Sequence, residues 1–190
     1  MKITKAQAQA NRAHIVETAS MLFRERGYDG IGIADLMAAA GFTHGGFYKH
    51  FGSKADLIKE SAACGIAHTA TQAVGMDTPG FVRAYISREH RDALASGCTM
   101  AALGGDAARQ PAEVRATFMA GLESMLTELA RQAPASNAVD SQRAREESLD
   151  IIAHAVGAIV LSRACPDDSA LADEILKVCR ERILITLTQP

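Results

Sequence analysis

Apolar residues recur at helical spacing along almost the whole chain, and nowhere do they alternate as a strand would require. Ile15, Ala19, Leu22 and Phe23 mark one face of a first helix over residues 4–26, with Arg12, Glu17, Arg24 and Glu25 on its other faces. Gly27 can take the left-handed conformation beyond a helix end, and Gly30 and Gly32 make the following loop too glycine-rich to continue it. A compact second helix is expected from Ile33 through Leu36, Met37 and Ala40. Gly41 and Phe42 then form a turn, Thr43 can cap the next N–H groups, and a third helix runs from His44 to about His50. Ser53, with Asp56 three residues on, reads as a capping-box variant opening a fourth helix that carries Leu57, Ile58, Ala62 and Ile66 into residues 69–73.

A helix start follows at Thr78, with Pro79 in its first turn and Phe81, Tyr85 and Ile86 inward, ending at Ser96 and Gly97. Thr99 to about Arg109 forms a short helix. Pro111 opens a long one whose core stripe is Val114, Phe118, Leu122, Met125 and Leu129. Residues 133–137 are the least structured stretch, and helices over residues 141–163 and 169–187 close the chain. Both are apolar on more than one face, through Leu149, Ile152, Val156, Ile159 and Val160, then Leu171, Ile175, Leu176, Val178, Cys179, Ile183, Leu184 and Leu187. A surface helix needs one stripe only. The excess is explained if a second copy covers it in a twofold four-helix interface, with Ile152, Val156, Ile159, Ile175, Val178 and Ile183 as contacts. The chain is therefore expected to be all-α, of about nine helices.

At 190 residues and 48% hydrophobic content the chain can bury a substantial core without staples. It has no apolar run long enough to span a membrane and no signal-peptide pattern after its basic start, so the cytoplasm is the expected location. The net charge of −2 hides an asymmetry: residues 1–60 carry eight Lys/Arg against six Asp/Glu. The four cysteines form no CxxC pair and the six histidines no HxxxH pair, so neither a metal site nor a cofactor is expected.

The stretch from Ala40 to Leu57 puts a glycine turn, a capping hydroxyl, aromatics and cationic or protonatable side chains into little more than one helical turn. A corner of an ordinary bundle needs none of that clustering, and the stretch reads as the turn and recognition helix of a DNA-binding domain. Residues 12–57 carry Leu22-Phe23 with Gly27-Tyr28, the Asp35 to Gly41 helix and turn, and Gly45, Phe47, Tyr48, His50, Phe51, Ser53, Lys54 and Leu57 in order. That segment resembles the TetR/AcrR family of bacterial transcriptional repressors. The resemblance implies a helix-turn-helix domain at residues 1–53 and an effector-binding and dimerisation domain at residues 54–190. It also implies roles: Thr43 as cap and phosphate contact, His44 and Gly46 facing base edges, Tyr48 and Lys49 at phosphates or the groove edge, His50 on the backbone, and Lys54 as a phosphate anchor. Gly32 and Gly46 stand where the family often has a hydroxyl residue, and His44 where it often has lysine.

The expected partners are a palindromic double-stranded operator, a second copy of the chain, and a small, largely apolar effector. The effector would lie among Phe81, Tyr85, Cys98, Met100, Phe118, Leu122, Met125 and His154, releasing the protein from DNA. Cys98, at a helix start, carries the alternative of a thiol that senses oxidants or electrophiles, against the plainer reading of a small buried residue. Arg83, Arg88, His90 and Arg91 read as a solvated basic face, or as one that steers an anionic effector. An enzyme using Cys98 with His90 or His154 lacks an orienting third group and leaves the N-terminal stretch unexplained, and an adaptor that has lost DNA affinity is a further alternative.

Overall fold

The computed structural model describes residues 4–73, 75–131 and 138–188. Among them are α1 (Lys5–Arg26), α2 (Ile33–Ala39), a 3-10 helix (His44–Lys49), α3 (Lys54–Ala73), α4 (Thr78–Tyr85), α5 (Arg88–Asp92), α6 (Thr99–Ala107), α7 (Ala112–Ala130), α8 (Ala138–Arg163) and α9 (Ala170–Thr186). No described residue lies in a strand, as the all-α expectation requires, and no described helix is long and apolar enough to cross a membrane. The expected loop at residues 133–137 lies outside the described residues. By packing, the chain forms two compact units. One comprises Met1–Thr69 with Leu94–Met119, the other Ala70–Ala93 with Ala120–Pro190.

In the first unit, Thr4 caps α1 by accepting from Gln7 N at 3.1 Å. Gly27 ends the helix at φ 74°, where a Cβ would be strained, and its N–H returns to Phe23 O at 2.8 Å. The core is assembled from Ile15, Ala19 and Phe23 of α1, Leu36 and Met37 of α2, Phe47, Phe51, and Leu57, Ile58 and Ala62 of α3. Leu103 and Ala107 of α6, with Val114 and Phe118 of α7, complete it. A buried polar cluster sits beside this apolar core. Arg24 donates to Ala95 O at 2.7 Å, to Ser20 Oγ at 2.7 Å and to Thr99 Oγ1 at 3.4 Å. Burial pulls the pKa of this guanidinium below its ordinary value, with the nearby Cys64 and Cys98 acting in the opposite sense. It still carries its charge, as arginine does in proteins. Gly65 of α3 faces the cluster, and a Cβ there would run into Arg24 Nη1 and Thr99 Oγ1 and stand 2.7 Å from Ser20 Oγ.

In the second unit α8 and α9 pack along each other, α4 lies against α9 and α5 against α8. Ile151, Ile152, Ala155, Ala158 and Ile159 of α8 are buried, as are Ala172, Leu176 and Ile183 of α9. Where one helix was expected from Thr78 to Ser96 there are two. Ser87 takes an extended conformation and caps α5 by accepting from His90 N at 3.1 Å. Carbonyls at the C-terminal ends of the two helices find arginines. Arg180 donates to Ile86 O at 3.0 Å, and Arg163 donates to His90 O at 2.9 Å and Arg91 O at 2.8 Å. The expected solvated basic face is thus partly interior. Arg91 is buried, donating to Ser162 O and Oγ, Cys165 O and Asp167. Arg88 pairs with Asp92 at 2.8 Å and Asp173 at 3.1 Å. The α7 stripe also shifts: Leu126 is buried, while Leu122, Met125 and Leu129 are half-buried.

The His90 imidazole sits 4.4 Å from the Tyr85 ring, and its Nδ1 lies 2.6 Å from Tyr85 O, a carbonyl that only accepts. Burial lowers its pKa below the ordinary value; the Tyr85 carbonyl favours the charged form, and the Arg163 charge adds to the lowering. The unfolded chain therefore takes this proton first. The stability of the second unit is whole above about pH 6.5 and falls as pH drops through that ordinary value towards the lower folded one. Thermal midpoints from about pH 7.5 to 5 are expected to fall more steeply for the parent chain than for His90→Gln. Parallel curves would contradict the assignment.

Candidate nucleic-acid interface

The segment after α2 is built by glycines and short carbonyl contacts. Gly41 turns at φ 79°, and Phe42 N donates to Met37 O at 2.8 Å. The expected third helix forms as 3-10 turns: Gly46 N donates to Thr43 O at 2.9 Å and His50 N to Phe47 O at 2.9 Å. Six residues with Gly45 and Gly46 adjacent are too short and too glycine-rich to close a stable run of α-helical bonds. Phe47 is fully buried and Phe51 nearly so, their rings 5.4 Å apart, and these two anchor the element to the core.

Thr43, His44, Gly45, Tyr48 and Lys49 are exposed and Gly46 and His50 half-buried. Tyr48 exposes 66% of its surface while its ring meets that of His44 at 6.3 Å, edge to face. The open face of the Tyr48 ring is thus turned to solvent. The Thr43 hydroxyl makes no capping bond, contrary to the expectation: the 3-10 geometry satisfies the first N–H from the Thr43 carbonyl instead. Gly45 has nothing within 4 Å of where a Cβ would stand, so the surface beside His44 is flat.

Lys54 is placed differently from what a phosphate anchor suggests. Its ammonium donates to Tyr28 O and, at 2.9 Å, to Ile31 O, closing the loop between α1 and α2. The end of the backbone that leads into α3 is capped by Ser53, whose Oγ accepts from Asp56 N at 3.1 Å. Arg12, counted in the sequence only as a polar position of α1, donates to the carbonyl of His50 and binds Glu60 of α3 through two nitrogens, Nε at 3.2 Å and Nη2. Its guanidinium lies 4.3 Å over the Phe51 ring. The only available signal was a pair of opposite charges 48 positions apart, which no local pattern connects. Phe42 stands between two histidine rings, 6.3 Å from His14 and 6.3 Å from His50.

The residues expected around an effector divide between the units. Cys98, Met100 and Phe118 belong to the first, where Phe118 and Met100 pack with the core that holds Phe47. Phe81, Tyr85, Leu122, Met125 and His154 belong to the second, with Phe81 and Tyr85 rings 5.2 Å apart. Cys98 is 1% exposed at the start of α6, which keeps its sulfur from solution reagents, and burial raises the Cys64 thiol above its ordinary pKa and so disfavours its thiolate. The expected dimer contacts also separate. Ile152, Ile159 and Ile183 are buried within the second unit itself, Val156 and Ile175 are half-buried, and Val178 is 48% exposed.

The description "Bacterial regulatory proteins, tetR family" matches residues 15–61. The HTH-type transcriptional regulator AcrR of Shigella flexneri is 40% identical over 57 residues, 30% of this chain and 26% of that protein. The HTH-type transcriptional regulator TtgR of Pseudomonas putida is 43% identical over 56 residues, 30% of this chain and 27% of that protein. The chain thus spans about a quarter of the length of these curated relatives. A TetR transcriptional regulator of Chloroflexus aurantiacus superposes with a TM-score of 0.75 over 97% of both chains at 24% identity, which shows the shared fold. The segment that holds the exposed 3-10 helix is thus similar to the tetR family of bacterial regulatory proteins, and the chain as a whole shares the fold of a TetR transcriptional regulator.

Proposed function

We propose that this chain is a DNA-binding transcriptional regulator, a repressor that binds a palindromic operator as a homodimer and leaves it when a small, largely apolar molecule binds. Residues 1–53 would act as the DNA-binding domain and residues 54–190 as the effector-binding and dimerisation domain. The observation that carries this reading is the exposed row Thr43, His44, Tyr48 and Lys49 on an element fixed from behind by Phe47 and Phe51. Hydroxyl, imidazole, phenol and ammonium are the groups that bind phosphates and base edges, and a rigid back is what registers them against a groove.

The dimer reading draws support from α8 and α9. Leu149, Val160 and Leu161 on α8 and Leu171, Val178 and Ile185 on α9 are exposed in the single chain. The α9 residues fall at steps of seven, which keeps them on one stripe of the helix, apart from the buried Ala172, Leu176 and Ile183. A second copy laid on this stripe gives the twofold interface that a palindrome requires.

Selection from a randomised duplex library, followed by gel shift of the enriched sequence, tests the function. The expected result is a two-half-site sequence retained in a salt-sensitive manner. Tyr48→Ala and Lys49→Ala are each expected to weaken retention by about tenfold or more, with thermal stability unchanged because both side chains are exposed. No enrichment at low salt would contradict DNA binding.

A further inference from the structure

The Arg12 guanidinium holds together three parts of the first unit that the sequence keeps far apart: α1, which carries it, the carbonyl at the C-terminal end of the 3-10 helix, and Glu60 of α3. Phe51 packs beneath its plane. A cation at that end is also favoured by the partial negative charge of the terminal carbonyls. Of the five N–H donors of arginine, three are committed to His50 and Glu60, and the carboxylate neutralises the charge. A cation spent in this way has little left for a phosphate.

We propose that Arg12 is a positioning residue for operator binding: together with Glu60 it fixes the exit of the 3-10 helix, and so the angle at which His44, Tyr48 and Lys49 are presented. The inference rests on the DNA-binding reading. The rival role on the same α1 surface is a direct phosphate contact, and the two roles give opposite predictions for Glu60. If Arg12 positions, removing the Glu60 charge loosens the clamp and weakens binding. If Arg12 contacts phosphate, the same change frees a cation and strengthens binding.

The test uses the full-length chain and the duplex it selects from the randomised library. Arg12→Ala and Glu60→Gln are each expected to weaken operator binding about tenfold, the equivalent of one charge-assisted hydrogen bond. The slope of log affinity against log salt is expected to stay that of the parent, while Lys49→Ala flattens it by about 0.9 as one phosphate contact is lost. Arg12→Lys, which keeps the charge but cannot bridge carbonyl and carboxylate in one plane, is expected to behave as Arg12→Ala. Thermal melts separate a loss of aim from a loss of fold, since a variant that merely unfolds also loses its cooperative transition. Tighter binding by Glu60→Gln, a flattened slope for Arg12→Ala, or full rescue by Arg12→Lys would overturn the clamp. Failure of the parent chain to enrich any duplex would instead remove the DNA-binding reading.

Discussion

Gly65→Ala is expected to lower the stability of the chain by about 3 kcal/mol, from overpacking together with the disturbance of hydrogen bonds to a buried charge. The added methyl enters the space occupied by Arg24 Nη1, Thr99 Oγ1 and Ser20 Oγ. Each of these is the end of a side chain, and in an exposed setting such ends swing aside at little cost. Here the Arg24 cation is buried with neutral oxygens as its partners, and moving it strands a charge away from water. The same position joins α1, α3 and α6, so the loss is expected across the first unit rather than at a frayed end. Chemical denaturation measures the change. Because the clash is with Arg24, Arg24→Met combined with Gly65→Ala is expected to cost less than the sum of the two single changes. Strict additivity would mean that the methyl is accommodated elsewhere.

The second large effect concerns assembly. Leu171→Asp with Val178→Asp places two carboxylates on the exposed stripe of α9, and twofold symmetry doubles them to four in the paired state. The side chains already face solvent in the single chain, so melting of the isolated chain is expected to change little. Sedimentation is expected to show dimers for the parent and monomers for the variant, and operator affinity to fall by about a hundredfold or more as the second half-site ceases to be an intramolecular contact. A variant that remains dimeric would place the interface on another face.

The elements legible in the sequence are those whose signals are local. Residues 40–57 hold turn, cap and aromatics in one continuous run, so the helix-turn-helix could be read without the rest of the fold. The all-helical class follows equally from spacing alone. What escaped depends on partners far along the chain. The ends of α4 and α5 are held by Arg180, which reaches Ile86 O, and by Arg163, which reaches His90 O and Arg91 O, from positions more than 70 residues away. Periodicity also shows that α8 has two apolar faces without showing which one α9 covers: Ile152 and Ile159 turn out to be inside, while Leu149 and Val160 are outside. The Lys54 ammonium reads from the sequence as an outward anchor, but two loop carbonyls, neither predictable from helical pattern, hold it inward.

That inward lysine has a kinetic consequence. With the Lys54 ammonium engaged by Tyr28 and Ile31, and Arg12 paired with Glu60, two of the eight cations in residues 1–60 have fewer donors left for phosphates. Direct contacts to the phosphates of an arbitrary duplex are then expected to be few. In the proposed function the protein would dwell only briefly on wrong sequence, moving through the genome by short visits more than by long sliding. Lasting occupancy would be left to places where both halves of a pair engage at once.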